Sequence, residues 1–210
     1  HPNADKLRVC KVDIGDGEIK DIVCGGINLE KGMRVAVSCP GAIVRWHGEG
    51  EPVEIKKSKL RGVASYGMIC ASDEIGLGDL FPASQEAEIL DLSAFDVPAG
   101  TTLADALDLN DVLLEIDNKS MTNRPDLWGH YGIAREIAAL YNLPLAEIKP
   151  FETDVQSDFN VEIADPDRCP RYIGVEMSGV NVKEAPYQMQ SRIWKVGMRP
   201  INALVDITNY

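Results

Sequence analysis

Lys56, Lys57, Lys59 and Arg61 form the densest positive cluster in this 210-residue chain. Cations at this spacing either meet the phosphates of a nucleic acid or line the solvated edge of a hairpin. The residues that follow are shaped by glycine. Gly62 and Gly67 bracket Val63, Ala64 and Ser65, and Gly67-Met68-Ile69-Cys70-Ala71 reads as a short apolar strand. Glycine inside a strand pattern marks a bulge or a close backbone approach. A helical turn over residues 73–77, stopped by Gly76, closes the stretch. Upstream, Trp46 and His47 sit on a charged loop over residues 45–52, where they either stack a base or fold onto their own strands.

Other reactive groups are sparse. Asp105 and Asp108 lie three apart on a short helix, as a carboxylate pair or, more simply, a solvated face. The five cysteines are odd in number and include no C-x-x-C pair, which fits reduced, buried thiols. The three histidines, His1, His47 and His130, do not supply the clustered ligands of a zinc site. No glycine loop built to cradle phosphates opens a helix, so the chain itself is expected to bind no ATP and to activate no amino acid.

Charge divides the chain. Residues 1–70 carry a net +2, residues 71–118 a net −12 and residues 119–210 a net −2. The total of −12 excludes a general nucleic-acid binder and confines phosphate contacts to the first third. The acidic middle solvates a face or meets a basic partner. A hydrophobic fraction of 45% supports a substantial core in one or two domains. No apolar run reaches the length of a membrane span, and no signal peptide pattern opens the chain. The first residue is not Met and the last lies in an apolar run, which reads as a segment of a longer protein.

Five short strands must position these groups: residues 7–14, 19–24, 34–38, 53–56 and 67–71, with Asp16-Gly17 as the first hairpin turn. Regular turn signals between them suggest a small barrel. Further strands are expected at 88–92 and 112–117, and a helix at 103–107 capped by Thr101-Thr102. Pro125 and Asp126 suit a helix start, and Ile133, Ile137 and Leu140 give one apolar stripe over 127–141, ended by Asn142-Leu143-Pro144. A polar linker over 144–158 precedes strands at 159–164 and 171–175. Pro186 then opens a helix with Gly197 just past its end, and residues 199–210 form a last strand.

Three motifs carry a resemblance. His1-Pro2-Asn3-Ala4-Asp5-Lys6-Leu7, Ile22-Val23-Cys24-Gly25-Gly26-Ile27-Asn28 and the L-R-G-V-x-S-x-G-M-x-C stretch from Leu60 resemble, in order, the tRNA-binding OB module of several synthetases. Asn123-Arg124-Pro125-Asp126 and Gly132-Ile133-Ala134-Arg135-Glu136 resemble the β subunit of bacterial phenylalanyl-tRNA synthetase. So do Cys169-Pro170-Arg171-Tyr172 and the run from Arg199 to Tyr210, which look like the start of its editing domain.

The resemblance implies an α+β fold: a five-stranded OB-type barrel, a helix-containing segment and the beginning of a second α+β domain. The expected divisions are a tRNA-binding module at 1–110, a helical segment at 111–150 and the start of an editing domain at 151–210. It implies tRNA(Phe) and the synthetase α subunit as partners in a heterotetramer, no membrane, and a cytoplasmic location. ATP and Mg would serve the complete enzyme, with no cofactor in this segment. Lys56, Lys57, Lys59, Arg61 and Trp46 are then candidates for tRNA contact. Arg199 and Asn209 become candidates for one wall of an editing pocket, whose remainder, including a histidine, lies after Tyr210 in the family. An extended chain from Arg199 to Asn209 spans up to roughly 33 Å, so a fold-back is needed for both to reach one pocket. A stand-alone tRNA-binding module accounts for residues 1–118 but not for 119–210, and a protein–protein scaffold is favoured only by the acidic middle.

Overall fold

A computed structural model describes residues 1–149 and 160–210, so the strand start at Phe159 and most of the expected linker lie outside the described residues. The chain forms two compact units, residues 1–113 together with 182–210, and residues 114–181.

In the first unit β1 (Arg8–Asp13) pairs antiparallel with β2 (Ile19–Cys24), from Arg8 opposite Cys24 to Asp13 opposite Ile19. The turn between them is fixed by short carboxylates: Asp13 accepts from the Gly15 N–H at 2.9 Å and Asp16 from the Glu18 N–H at 2.9 Å. Three further antiparallel pairs follow, each short. β3 (Val37–Ser38) pairs with β8 (Met68–Ile69), β4 (Ile43–Arg45) with β5 (Pro52–Glu54), and β6 (Ser58–Leu60) with β7 (Val63–Ser65). The β6–β7 loop has two central residues, Arg61 and Gly62, both at positive φ (47° and 92°). That is the type I′ geometry whose twist matches a tight hairpin.

The unit thus has eight strands rather than five. Among the described residues they form four separate two-stranded sheets and no closed ring of ladders. The strand expected at 34–38 is reduced to Val37–Ser38 plus one bridge, Val35 to Asp91. The strand expected at 88–92 contributes that bridge and two single long-range backbone–backbone bonds, from the Leu90 N–H to the Cys70 carbonyl (3.0 Å) and from the Leu92 N–H to the Arg34 carbonyl (2.9 Å), while Ile89 bonds the Asn28 side chain. Its apolar residues nonetheless go where the pattern places them: Leu90 and Leu92 join Ala36, Cys70, Leu77 and Leu107 in one core, and Ile89 joins Ile22, Cys24 and Ile69 in another.

Three helices complete the unit. α1 (Leu103–Ala106) is capped by Thr102, whose side chain accepts from the Asp105 N–H. α3 (Tyr187–Lys195) begins after Pro186 and ends before Gly197, which takes φ 80° as a residue past a helix end often does. The last element corrects the expected strand over 199–210, because residues Ala203–Asn209 are helical and form α4. The reason is local. Asn202 is an N-cap whose side chain accepts from the N–H groups of Leu204 (3.1 Å) and Val205 (3.2 Å). The buried Asp206 then accepts from the Ile201 N–H at 2.8 Å, which fixes the chain entering the helix.

In the second unit α2 (His130–Tyr141) follows a single helical turn at Pro125–Leu127 and ends on Asn142 in the left-handed region (φ 51°). Arg124 grips the entry. Its guanidinium donates to both oxygens of Asp126 (2.9 and 2.8 Å) and to Glu136 (2.9 Å), while Arg135 donates to Asp126 at 3.0 Å. No ladder forms at the described residues of the strands expected at 112–117, 159–164 and 171–175. Val112, Leu114, Tyr172 and Val175 are all exposed there. An apolar run has strand propensity but needs a partner edge to become a strand.

Candidate nucleic-acid interface

The β6–β7 hairpin presents the basic cluster. Lys59 lies mid-strand on β6 opposite Ala64, Arg61 occupies the turn, and Lys56 and Lys57 lead in from β5. The hairpin is tied down from the chain start: the Asn3 side-chain amide donates to the Arg61 carbonyl, and the His1 ring meets the Leu60 carbonyl, both at 3.1 Å. Two of the three motifs read from the sequence are therefore one structural device.

Between this hairpin and β2 runs a groove of about 460 Å³. Its lining includes Lys20, Asp21, Lys57, Lys59 and Tyr66. Tyr66 is the residue that sequence reasoning missed, standing at an unspecified letter of the motif between Ser65 and Gly67. Its N–H donates to the Asp21 carbonyl at 2.8 Å, and the half-buried ring packs on the core formed by Ile22 and Ile69. The Lys20 ammonium lies 5.2 Å and the Lys57 ammonium 5.0 Å from the ring centroid. Only the cross-strand register brings these residues together, so spacing along the chain offers no signal for them.

The cations are not equivalent. Lys20 is clamped between Asp16 (2.7 Å) and Glu18 (2.6 Å), and these hydrogen bonds, Asp16 first, raise its pKa further above the ordinary lysine value. Its charge is permanent but already compensated. Lys56 lies 3.3 Å from Glu54, an exposed pair of little strength. Lys57, Lys59 and Arg61 make no ion pair among the described residues. Trp46 is 55% exposed and meets His47 edge-on at 5.9 Å, but it does not line the groove. Its helical turn at Trp46–Gly48 packs instead near Asp73, which a Cβ added to Gly48 would approach to 3.0 Å.

Ser65 explains why the motif needs its letters. It is 3% exposed, accepts from the Val23 N–H at 3.0 Å and donates to the Gly67 carbonyl at 2.9 Å, so it joins β2 to the approach of β8. A Cβ on Gly67 would lie 2.5 Å from the Ser38 carbonyl oxygen, so only glycine lets the two backbones meet. Cys24 and Cys70 are buried, and desolvation pushes both thiols above their usual pKa, which leaves them unreactive.

The acidic middle faces a different hollow, of about 420 Å³, lined in part by Asp79, Glu88, Asp91 and Asp206. Three of these carboxylates accept from backbone N–H groups: Glu88 from Ser84 (2.6 Å), Asp91 from Ser93 (2.8 Å) and Asp206 from Ile201 (2.8 Å). Pro200 and Ile201 border this hollow, but Arg199 and Asn209 do not, and both side chains are exposed. Asp105 bonds to Thr102 and Asn110 while Asp108 lies past the helix end at φ 49°, so the two do not form a carboxylate pair. Among the described residues no group of His, Cys, Asp and Glu is placed to hold a metal, and no helix is long and apolar enough to cross a membrane.

Residues 1–101 match the model of a tRNA binding domain family, and residues 168–210 match the B3/4 domain. The full chain is 42% identical over 214 residues to the phenylalanine–tRNA ligase β subunit of Pectobacterium atrosepticum, 39% over 214 residues to that of Fusobacterium nucleatum and 40% over 213 residues to that of Ralstonia nicotianae. In each case the match takes in 100% of this chain and 25% of the relative, so the chain spans about a quarter of the length of these subunits. Over that quarter, and with both domain matches in order, the chain is similar throughout to phenylalanine–tRNA ligase β subunits.

Proposed function

We propose that the chain holds tRNA(Phe) on its basic hairpin and contributes one wall of a pocket that hydrolyses mischarged tyrosyl-tRNA. Aminoacylation, with its ATP and Mg, would belong to the α subunit of the assembled cytoplasmic enzyme. The observation that supports the first half is the groove lined by Lys57, Lys59 and Tyr66, in which neither lysine pairs with a described carboxylate and the Lys57 ammonium lies 5.0 Å from the Tyr66 ring centroid. In this reading the four ladders are parts of a five-stranded OB-type barrel. In the same reading the chain divides into a tRNA-binding module at 1–110, a helical segment at 111–150 and the start of an editing domain at 151–210, whose residues 182–210 fall in the same compact unit as residues 1–113.

The second half rests on the B3/4 match and on a physical need. A pocket for phenylalanine rejects tyrosine only about a hundredfold, because an apolar site cannot strongly exclude an added hydroxyl. A separate hydrolytic site can use the opposite asymmetry, with polar groups that the hydroxyl satisfies. Arg199 and Asn209 are the candidates here. The guanidinium offers a rigid fork suited to a phosphate or ribose edge, and the amide both donates and accepts. The helical α4 covers roughly 10 Å along its seven residues, much less than an extended strand, which helps both reach one site.

Two measurements on the full-length enzyme test this. Replacing Lys56, Lys57, Lys59 and Arg61 together by Ala should weaken tRNA(Phe) binding by about tenfold or more, whereas replacing Lys6 and Lys31 should not. Arg199→Ala should slow deacylation of tyrosyl-tRNA, and Asn209→Ala should blur the choice between tyrosyl and phenylalanyl esters. If both variants clear tyrosyl-tRNA at the normal rate and still spare the phenylalanyl ester, the two residues are structural.

A further inference from the structure

We propose that the groove beside Tyr66 takes a single unpaired nucleotide of RNA, with its base laid on the phenol ring and its phosphate held by Lys57 and Lys59. This rests on the tRNA-binding reading and narrows it from a charged surface to a stacking site. The groove of about 460 Å³ is open to solvent and is wide enough to admit one nucleotide against the Tyr66 ring.

The ring is held ready. Its packing on the Ile22 and Ile69 core, the bond from its own N–H to the Asp21 carbonyl, and the double bond set of the preceding Ser65 leave it little freedom to lose on binding. Stacking on an aromatic face is tolerant of sequence, because every base has a π-face.

The surrounding charges set the orientation. Lys20 stays over the ring at 5.2 Å from its centroid, since Asp16 and Glu18 hold it, and its compensated charge offers little to a phosphate. Asp21 lines the same side, and its carboxylate is paired to Lys11 at 2.6 Å, so that side offers a phosphate no uncompensated cation. Lys57 is exposed and has no described carboxylate partner, so a base arriving on Tyr66 displaces its ammonium from the ring toward the nucleotide's phosphate. The exchange is favourable, because an exposed lysine–ring contact is weaker than a base stack. Lys59 lines the groove from the neighbouring strand and is placed to share that phosphate.

The test uses the full-length protein with two probes, a single-stranded RNA oligomer carrying 2-aminopurine and a duplex RNA of equal length. Wild type should quench 2-aminopurine and favour the single strand. Tyr66→Leu, which keeps apolar packing, should lose the quench and about tenfold in single-strand affinity, with duplex affinity and salt slope unchanged. Tyr66→Phe should stay within about twofold of wild type, because the stack survives. Lys57→Ala should lower the single-strand salt slope by about 0.7. If the four-cation variant loses single-strand affinity while Tyr66→Leu does not, the stacking site is wrong and the basic surface stands. If Tyr66→Leu weakens both probes equally, Tyr66 is structural and the inference fails. If wild type binds neither probe, both readings fall.

Discussion

Replacing Ser65 by Ala should open the sheet locally between β2 and the start of β8. The hydroxyl accepts from the Val23 N–H at 3.0 Å and donates to the Gly67 carbonyl at 2.9 Å. Val23 is 5% exposed and Gly67 is buried, so neither backbone group gains water when the oxygen is removed. An unsatisfied buried donor or acceptor costs about 1–3 kcal/mol, and two of them put the expected loss at about 2–6 kcal/mol. Native-state hydrogen exchange of the Val23 amide reads this directly, because the bond that protects it is the one removed. Ser72→Ala is the matched control: Ser72 is also 3% exposed, yet its side chain makes no hydrogen bond among the described residues. A Val23 opening free energy within about 0.5 kcal/mol of wild type, or equal effects from the two variants, would refute the claim that this hydroxyl joins the strands.

Gly67→Ala should destabilise by at least about 1–3 kcal/mol, since its Cβ would lie 2.5 Å from a backbone oxygen that cannot move aside; urea unfolding of the first unit checks it. Asn202→Ala should cost about 1 kcal/mol and fray α4, seen as faster amide exchange at Leu204 and Val205. The Asp126 carboxyl, held by Arg124 and then Arg135, has its pKa lowered to about 2 from an unperturbed 3.8. A depressed carboxylate stabilises the folded state fully above the unfolded value and loses that contribution as pH falls through the folded one. The entry to α2 should therefore hold at pH 5 and loosen between about pH 4 and 2, with an NMR midpoint near 2 for Asp126; a midpoint near 4 would contradict the clamp.

Several parts of this fold are legible from residues alone, for stated reasons. β1 and β2 appear in the sequence because apolar residues recur on both sides of an Asp-Gly turn, and α3 because proline and glycine mark its ends. β6 and β7 do not, since Ser58–Leu60 is exposed throughout and its hairpin depends on Arg61 adopting a positive φ that arginine seldom takes. The last helix reads as a strand because Val205, Ile207 and Thr208 are β-branched. The side-chain cap from Asn202 outweighs that propensity. The basic cluster is visible as a charge run, but Tyr66 and Lys20 join it only through strand register, and the pairing of Lys56 with Glu54 sets one cation apart.

The central claim is that the β6–β7 hairpin meets RNA phosphates, and the salt dependence of binding tests it most directly. With tRNA(Phe) and the full-length protein, the slope of log K against log salt should fall by about 0.7–0.9 for each contact removed. Lys57→Ala, Lys59→Ala and Arg61→Ala should each show this loss, and Lys56→Ala less, because Glu54 already shares its charge. The four-residue variant should lose about three units of slope relative to wild type. An unchanged slope in that variant would contradict the account and leave the cluster as a solvated edge.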